Sequence, residues 1–459
     1  MRRRKRDLTS RVNRDLAIDP TPDSLTGFAG LELFDRYLRW TGFAAKVRAA
    51  LQGICLGGDF GSLPMIRLLT ALLLIGGRRL AHVEFVRCDP ILCRFARLRH
   101  LPHERTLSRW LKQFTVRKVT HLQLLNEMVV LETLRRMKTK RVTMDIDGTV
   151  LSTGLQVKWA KRGFNPHHRK VPSYYPILAH VAQTGQVFAV RNRPGNVHDG
   201  KRSPAFLRQV FGRLRTELGK GALLECRLDG AFFRQEVIAE LERWSVEYAV
   251  KVPFYPWLNL KPVVAARRKW HWVDEGVSCF ETVHWVETWG RPLYLTIYRK
   301  QVHHPTRKNF QLDLFDPDDG HYEYSAVLTN KEIDGIDLWH FMAGRGAQEK
   351  TLAELKDGLA FASIPTKEYG ANSAWQQLSV LTLNLVRDFQ IVIGSERKKP
   401  TPKRTYAYRL QSIKTIRFEW LNVAGRLIRP NGTRRLRLAS SPGVRNRFSQ
   451  IAAALAKSA

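Results

Sequence analysis

The sequence predicts a mixed α/β protein that begins with an all-helical region and carries a β-rich insertion. Strict alternation of apolar and polar residues over 141–147 indicates a β-strand. Helical and strand-like stretches then succeed one another over 201–252, and aromatic, strand-like stretches fill 254–330. Apolar residues at helical spacing over 27–134 indicate that helices precede the first strand.

Composition and charge narrow the class of partner. The chain has 459 residues, 44% of them hydrophobic, so it is globular and long enough for about two to four structural units. Its 76 lysines and arginines exceed its 41 acidic residues and give a formal net charge of +35. A net positive charge of this size favours a polyanionic partner, and nucleic acid is the first candidate.

Membrane and secretory classes are not expected. The longest apolar run, around Leu68–Ile75, is far shorter than the roughly 20 residues that span a bilayer. The basic N-terminus is followed by no apolar signal segment. The five cysteines are odd in number and lack paired spacing, which argues against a disulfide framework or a zinc site. We therefore expect a cytoplasmic protein without a membrane partner.

The N-terminal region is expected to contain a DNA-binding helix. Residues 1–25 are basic and then polar, as in a flexible arm. A turn at 102–106 opens a helix, Leu107–Phe114, in the pattern of a helix-turn-helix reader. An ordinary amphipathic helix is the alternative in a chain this basic. The side chains expected to face outward are Ser108, Arg109, Lys112 and Gln113.

Two carboxylates mark the end of the first predicted strand. Asp145 and Asp147 are two residues apart and share one strand face, at a separation of about 7 Å. Such acids are usually solvated, but a pair at the end of an apolar strand in a basic protein indicates a metal site. Alternation continues through 174–190 and predicts a three-stranded meander.

A third acid follows a later strand. A helix predicted over 201–218 leads to a short apolar strand, 223–228, that ends at Asp229. A helix over 231–244 and a strand over 246–252 follow. An aspartate in this position is more often a helix N-cap, yet its place beside another strand-end aspartate favours a functional role.

The stretch 254–330 is expected to be a β-rich insertion. Most of its aromatic side chains are expected to form a small core. One or two of them are candidates for stacking on an extruded base. The aromatic residues concerned are Trp270, Trp272, Trp285, Trp289, Tyr294 and Tyr298.

A helix after the insertion carries charged residues along one side. Arg345 and Glu349 are one turn apart and Lys356 lies two turns beyond Glu349, so the three share one face. They form either a solvated salt-bridge ladder or a metal-binding carboxylate flanked by cations that hold phosphates. An apolar helix over 372–393 follows. From Arg397 onward, sixteen cations and one acid indicate a tail that binds the DNA backbone or orders only on binding it.

Three acids at such positions can serve one reaction. Two carboxylates at adjacent strand ends and one on a helix can hold two Mg²⁺ or Mn²⁺ ions about 4 Å apart, an arrangement for in-line attack on a phosphodiester. The three acids are Asp147, Asp229 and Glu349, with Asp145 as the rival of Asp147.

The motifs around these acids resemble those of bacterial insertion-sequence DDE transposases over about 140–395. The resemblance implies a ribonuclease-H-like core with a β insertion between the second and third acids. It departs at Met342, where the Y-R-E-K-type signature of the family has tyrosine. The matching motifs are Asp147-Gly148-Thr149, Arg193-Pro194-Gly195-Asn196-Val197-His198, Asp229-Gly230-Ala231-Phe232 and Arg345-x-x-x-Glu349-x-x-x-x-x-x-Lys356.

The resemblance also implies roles for individual residues. Asp147, Asp229 and Glu349 would be the catalytic triad that binds two Mg²⁺ or Mn²⁺ ions per active site. Arg345 and Lys356 would contact DNA phosphates near the cleaved end. The first acid is assigned to Asp147 because the family motif places its acid two residues before a threonine.

These assignments predict the domain order. The expected parts are a basic flexible arm (1–25), a helical, helix-turn-helix-like DNA-binding region (26–136), the first part of the core (137–253), the β-rich insertion (254–330), the second part of the core (331–395) and a basic C-terminal tail (396–459).

The resulting hypothesis is a cut-and-paste DNA transposase. It would bind terminal inverted repeats in double-stranded DNA, cleave the transposon ends by metal-dependent hydrolysis and join the 3′-hydroxyls to target DNA. A homodimer is expected in the synaptic complex, and the resemblance implies a nucleoid-associated bacterial protein. A non-catalytic, sequence-specific DNA-binding protein with a repurposed core is the alternative. A nuclease that cuts without joining shares the same chemistry.

Overall fold

Helices build the N-terminal part of the chain, as the sequence predicts. The computed structural model describes residues 18–21, 23–153, 156–163, 170–302, 322–398 and 407–458. Most of the predicted flexible arm lies outside these residues. After a two-residue strand, Leu25–Thr26 (β1), the helices are Leu31–Trp40 (α1), Phe43–Ala50 (α2), Ser62–Ile75 (α3), Pro90–Ala96 (α4), Glu104–Lys112 (α5) and Val116–Arg136 (α6).

Strands dominate the middle of the chain. The strict alternation around residue 144 forms a strand that is buried on both faces. In chain order the strands are Arg141–Gly148 (β2), Leu151–Ser152 (β3), Ser173–Tyr174 (β4), Ile177–Val181 (β5), Gln186–Arg191 (β6), Leu223–Leu228 (β7), Glu247–Val252 (β8), His271–Asp274 (β9), Val277–Val286 (β10), Arg291–Gln301 (β11) and Tyr322–Thr329 (β12).

The strand order explains where the site lies. The central sheet runs β6-β5-β2-β7-β8. Its β6, β5 and β2 form the predicted antiparallel meander, and β2, β7 and β8 are parallel neighbours. This mixed arrangement is the ribonuclease-H-like sheet that the resemblance implied. It places the carboxyl ends of β2 and β7 side by side at one edge of the sheet.

The β-rich insertion continues this sheet. Strand β12 pairs antiparallel with β8, and the order β12-β11-β10-β9 extends the sheet outward. The expectation that most insertion aromatics form a small core is corrected in part. Tyr298 is buried and Trp270 packs against Phe280, with ring centroids 4.8 Å apart. Trp272, Trp285 and Tyr294 are exposed, because only one face of these strands is covered.

Within the described part of the chain, six further α-helices lie between residues 203 and 392. The last of them is the apolar helix predicted after the insertion, and it is buried along most of its length. The helices are Ser203–Leu218 (α7), Gln235–Arg243 (α8), Leu260–Ala265 (α9), Gly335–Ala343 (α10), Gly346–Gly358 (α11) and Tyr369–Val392 (α12).

Buried amides join α12 to the helical part and to the sheet. Asn384 Nδ2 donates to Asn126 Oδ1 at 2.9 Å, and Asn126 Nδ2 donates to Gln377 Oε1 at 2.9 Å. Asn384 also bonds both backbone groups of Val187 at 2.8 Å. Since buried polar groups need partners, these bonds fix α12 against α6 and β6 in one register.

Residues 407–458 form helices and strands, whereas the sequence predicts a basic C-terminal tail over 396–459. Trp420 is buried and stacks on Phe389 of α12, with ring centroids 5.2 Å apart. The strand Gly425–Ile428 pairs with β1, so this segment packs with the N-terminal part of the protein. The elements are Ile413–Ile416 (α13), Gly425–Ile428 (β13), Arg435–Leu438 (β14) and Pro442–Ser458 (α14).

Two further expectations concern the membrane and the cysteines. Among the residues that the structure describes, no helix is long and apolar enough to cross a bilayer. All five cysteines are free thiols. No disulfide therefore links these cysteines.

Candidate active site

Two acidic side chains meet at the carboxyl edge of the central sheet. Strands β2 and β7 are parallel, and their register pairs Ile146 with Leu228. Asp147 and Asp229 follow by one residue, so strand direction and register bring them to the same edge. Asp229 also accepts a hydrogen bond from the backbone N–H of Ala231 at 3.0 Å. The capping role and the strand-end location considered for Asp229 therefore occur together.

Arg345 lies between the two carboxylates. Its Nη2 is 2.7 Å from Asp147 Oδ2 and 4.0 Å from Asp229 Oδ2. Its Nε is buried and has no hydrogen-bond partner in the described part of the chain. A guanidinium with a spare donor is suited to an oxyanion that enters this site.

The carboxyl group of Asp147 is held in an unusual electrostatic environment. Burial raises its pKa from 3.8 to about 6, although the Arg345 guanidinium opposes the rise. The nearby carboxylates of Asp229 and Asp199 raise the pKa further. Like charges held this close are stabilised when a cation binds between them. The site therefore favours additional positive charge.

Helix α11 presents the predicted charged stripe. Arg345, Glu349 and Lys356 fall within about 40° of one another around the helix axis. Burial lowers the pKa of Lys356, while its attraction to Asp357 and Asp147 opposes that shift, so the ammonium lies in the field of the Asp147 site. Glu349 is exposed in the first helical turn. The structure thus brings Arg345 to Asp147, whereas Lys356 only lies in the field of Asp147 and Glu349 is exposed on the same helix.

The chemistry of the donors fits a divalent cation in part. Asp147 and Asp229 supply hard oxygen ligands of the kind that Mg²⁺ and Mn²⁺ prefer. Within the described ranges, no three His, Cys, Asp or Glu side chains stand close enough to hold one metal ion. Two carboxylates are therefore in place, and Glu349 would have to turn inward to become the third ligand.

Asp145, the alternative to Asp147 as the first acid, is buried and forms an ion pair with Arg227. Its Oδ1 lies 2.5 Å from Arg227 Nε and its Oδ2 lies 2.9 Å from Arg227 Nη2. His180 Nδ1 is 3.1 Å from Oδ2. Burial alone would raise the pKa of Asp145, but Arg227 and His180 hold it below its usual value. Both oxygens are engaged, which leaves Asp147 as the strand carboxylate open to a ligand.

The same ion pair positions the start of α11. Arg227 Nη1 donates to the carbonyl of Phe341 at 2.8 Å, and Gln348 Nε2 donates to the carbonyl of Asp145 at 3.2 Å. A Cβ on Gly344 would lie only 2.3 Å from Arg227 Nη1. Glycine at 344 is therefore required for this approach, which sets Arg345 over the strand ends.

A second cluster near Asp147 was not identified from the sequence. Arg193 Nη2 donates to Asp199 Oδ1 at 2.9 Å, and the Tyr175 hydroxyl donates to Asp199 Oδ2. A Cβ on Gly148 would lie 2.3 Å from Asp199 Oδ1, so this cluster packs directly against the strand end. The motif from Arg193 to His198 was the available signal, since Asp199 is the next residue.

The predicted reader helix, α5, is partly available to a partner. Arg109 and Lys112 are exposed, and Ser108 is half-buried. Gln113 is occupied, because its amide bonds both backbone groups of Gly57, at 2.6 Å and 2.9 Å. A cavity of about 640 Å³ lies where the helical part meets the core. Its lining includes Arg78, Arg79, Arg105, Ser108, Ser152 and Ser363.

A row of stacked aromatic rings includes Phe233, four residues after Asp229 in the chain. The ring of Phe233 stacks on Trp289 with a centroid distance of 4.8 Å and on Trp257 with 6.4 Å. Tyr255 stacks on Trp257 with a centroid distance of 5.9 Å. Trp257 is 47% exposed, so its ring offers a surface on which a base can stack. Of the aromatics considered from the sequence, Trp289 belongs to this row.

One comparison with known proteins shows the family of this chain. Residues 10–459 match the family described as Transposase DDE domain group 1. No curated protein matches the chain. Seven chains of solved structures match, among them one from a cryo-EM structure of a piggyBac transposase synaptic complex with hairpin DNA. That match has 10% identity and a TM-score of 0.45, and it covers 94% of this chain and 81% of that chain.

Proposed function

Because the chain belongs to the transposase DDE domain family, group 1, we propose that it is a cut-and-paste transposase with the triad Asp147, Asp229 and Glu349. It binds the terminal inverted repeats of its element, hydrolyses the transposon ends and joins the 3′-hydroxyls to target DNA. Members of this family generally use divalent metal ions. We assign two Mg²⁺ or Mn²⁺ ions to each active site.

One observation carries the proposal. Two acids from adjacent parallel strands share a single guanidinium, since Arg345 Nη2 is 2.7 Å from Asp147 and 4.0 Å from Asp229. An arginine between two carboxylates is a cation in the place where divalent ions would act. This supports a metal-dependent phosphodiester reaction more strongly than a solvated salt-bridge ladder.

Each residue then has a role. Bound Mg²⁺ or Mn²⁺ would activate the attacking water or 3′-hydroxyl and stabilise the leaving oxygen. Asp147 and Asp229 hold negative charge at the strand ends, and Glu349 turns inward as the third carboxylate. Arg345 exchanges its carboxylate contacts for a DNA phosphate, and Lys356 supplies a second cation. Met342 provides no polar contact at the position of the family tyrosine.

The helical part and the cavity beside it support DNA binding near the site. The cavity joins Arg78 and Arg79 of the helical part to Ser152, four residues after Gly148. Exposed arginines there can bind the DNA backbone, and α5 can contact the terminal repeat. Synapsis of two ends needs two active sites, so a homodimer is the proposed active form, acting on DNA in the bacterial nucleoid.

Cleavage of a labelled transposon-end duplex in Mg²⁺ tests the proposal. The wild type should cut the end and join its 3′-hydroxyl to a target duplex. Glu349→Gln should bind the duplex but lose cleavage by about a thousandfold, as expected when a metal ligand is lost. Glu236→Gln, which alters an exposed acid on α8, is the matched control and should behave as the wild type.

Other results would select the alternatives. Tight binding without metal-dependent cleavage of any candidate end would favour the non-catalytic DNA-binding protein. Cleavage without joining would favour a nuclease. Full activity of Glu349→Gln would remove Glu349 from the triad while leaving the transposase assignment in place.

A further inference from the structure

The hairpin near the end of the chain carries an unusual arginine surface. We define the arginine hairpin as residues 425–438, comprising β13, β14 and the loop between them. It contains no acidic residue. Its five arginines are Arg426, Arg429, Arg434, Arg435 and Arg437.

The two faces of the arginine hairpin differ in chemistry. Leu427 pairs with Leu436, and both are half-buried against the hydrophobic cluster of the N-terminal helices. Arg426 pairs with Arg437 on the opposite face, where Arg435 also lies. The three arginines are exposed. The strand alternation therefore turns leucines to the core and arginines outward.

This outer face is electrostatically costly in the isolated protein. Arg426 and Arg437 are directly opposite each other, an arrangement that is unfavourable for like charges. Arg426 is partly neutralised by Asp23 Oδ1 at 2.6 Å. Arg434, Arg435 and Arg437 make no ion pair within the described part of the chain. A polyanion that binds this face would remove the repulsion.

We propose that the outer face of the arginine hairpin is a second double-stranded DNA-binding surface, which contacts phosphates. This surface consists of other residues than α5 and the site of Asp147 and Asp229. The proposal rests on the proposed function only for the choice of DNA as the polyanion. Strand β14 is an edge strand of the sheet β1-β13-β14. A two-stranded ribbon with one arginine face can lie in or along the major groove of a duplex.

The salt dependence of duplex binding tests this surface. Affinity for a labelled duplex of arbitrary sequence is measured without divalent metal over a series of salt concentrations. Each lost phosphate contact reduces the slope of log binding constant against log salt concentration by about 0.9. Arg435→Gln/Arg437→Gln should therefore reduce the slope by about 1.8 and weaken binding most at low salt. Arg435→Lys/Arg437→Lys keeps both charges and should retain the wild-type slope.

A matched control removes the same charge elsewhere. Lys220 and Arg243 are exposed and precede β7 and β8, at the sheet edge opposite Asp147. Lys220→Gln/Arg243→Gln should leave the slope unchanged. Thermal unfolding should show that the Arg435→Gln/Arg437→Gln protein is at least as stable as the wild type, because the substitution removes repulsion.

The outcomes separate this inference from the proposed function. Equal slopes for the hairpin and control variants would overturn the DNA-binding surface, even if the wild type cleaves ends normally. A reduced slope on single-stranded DNA but not on the duplex would also overturn it. A hairpin-specific loss on the duplex would support the surface even if no cleavage occurs, and that absence of cleavage would count against the proposed function alone.

Discussion

At the residue scale, two aspartates on one strand have opposite environments. Asp145 and Asp147 share a strand face, yet the pKa of Asp145 is lowered and that of Asp147 is raised. The neighbouring parallel strand decides the difference, because Arg227 is the register partner of Asp145 and Asp229 stands beside Asp147. Both oxygens of Asp145 are bound by protein groups, whereas Asp147 shares the single guanidinium of Arg345 with Asp229.

This difference predicts a pH dependence of metal binding. The pKa of Asp147 is about 6 because of burial, and Asp229 contributes to the rise. An ordinary aspartate is already ionised at about pH 6, whereas Asp147 still carries a proton below that pH. Mn²⁺ affinity should therefore be nearly constant above about pH 7 and fall by up to about tenfold per pH unit below about pH 6. Calorimetric titrations in buffers of different ionisation enthalpy measure the released proton.

Two variants test the cause of this effect. Asp229→Asn removes a neighbouring negative charge, so the pKa of Asp147 should fall; an NMR titration without metal measures this, because Asp229 is itself a proposed metal ligand. Glu236→Gln, on the exposed face of α8, should match the wild type. Metal binding at about pH 5 without proton release would contradict the electrostatic account of Asp147.

At the element scale, the position of α11 depends on a close backbone approach. A Cβ on Gly344 would lie 2.3 Å from Arg227 Nη1 and 3.2 Å from the carbonyl oxygen of Phe341. Gly344→Ala should therefore displace Arg227 or the helix, lower the free energy of unfolding by about 1–3 kcal/mol and reduce end cleavage. Urea unfolding and the cleavage assay measure the two effects.

A neighbouring glycine supplies the control for this prediction. A Cβ on Gly346, the first residue of α11, would meet no atom within 4 Å. Gly346→Ala should be neutral or stabilise the protein by up to about 1 kcal/mol, because alanine favours the helix. If the two variants have the same stability, the close contact with Arg227 does not position the helix.

The elements show which parts of the fold the sequence could predict. Strand β2 and helix α12 have strong period-two or apolar patterns, and both appear where expected. The contact of Asp199 with Tyr175 depends on tertiary packing, and the motif that ends at His198 indicates the segment but not this contact. The arginine hairpin lies in a segment whose high positive charge predicts a tail. Within it, residues 435–438 alternate between arginine and leucine, and this period of two is the local pattern that predicts a β-strand.

At the scale of the whole molecule, the helical part and residues 407–458 belong to one folded body. Arg417 donates to the carbonyls of Leu73 and Leu74 at the end of α3, both at 2.6 Å. It also donates to the carbonyl of Gly358 at the end of α11, at 2.7 Å. A residue of the basic C-terminal segment thus caps both a helix of the N-terminal part and the helix that carries Arg345.

This connection predicts that the C-terminal segment stabilises the whole protein. Trp420 is 1% exposed and stacks on Phe389 of α12. Trp420→Ala should lower the free energy of unfolding by about 3–5 kcal/mol, because it leaves a cavity in the shared core. Phe418→Ala is the matched control, since Phe418 is 90% exposed and should change stability by less than about 0.5 kcal/mol.

Chemical unfolding followed by both tryptophan fluorescence and circular dichroism measures this prediction. One transition that moves to lower denaturant in Trp420→Ala would show that the two ends unfold together with the core. An early transition confined to the C-terminal segment, with the remaining transition unchanged, would mean that residues 407–458 are an accessory layer. DNA binding by that segment could then be lost without loss of the active site, and removing it would be a test of binding rather than of folding.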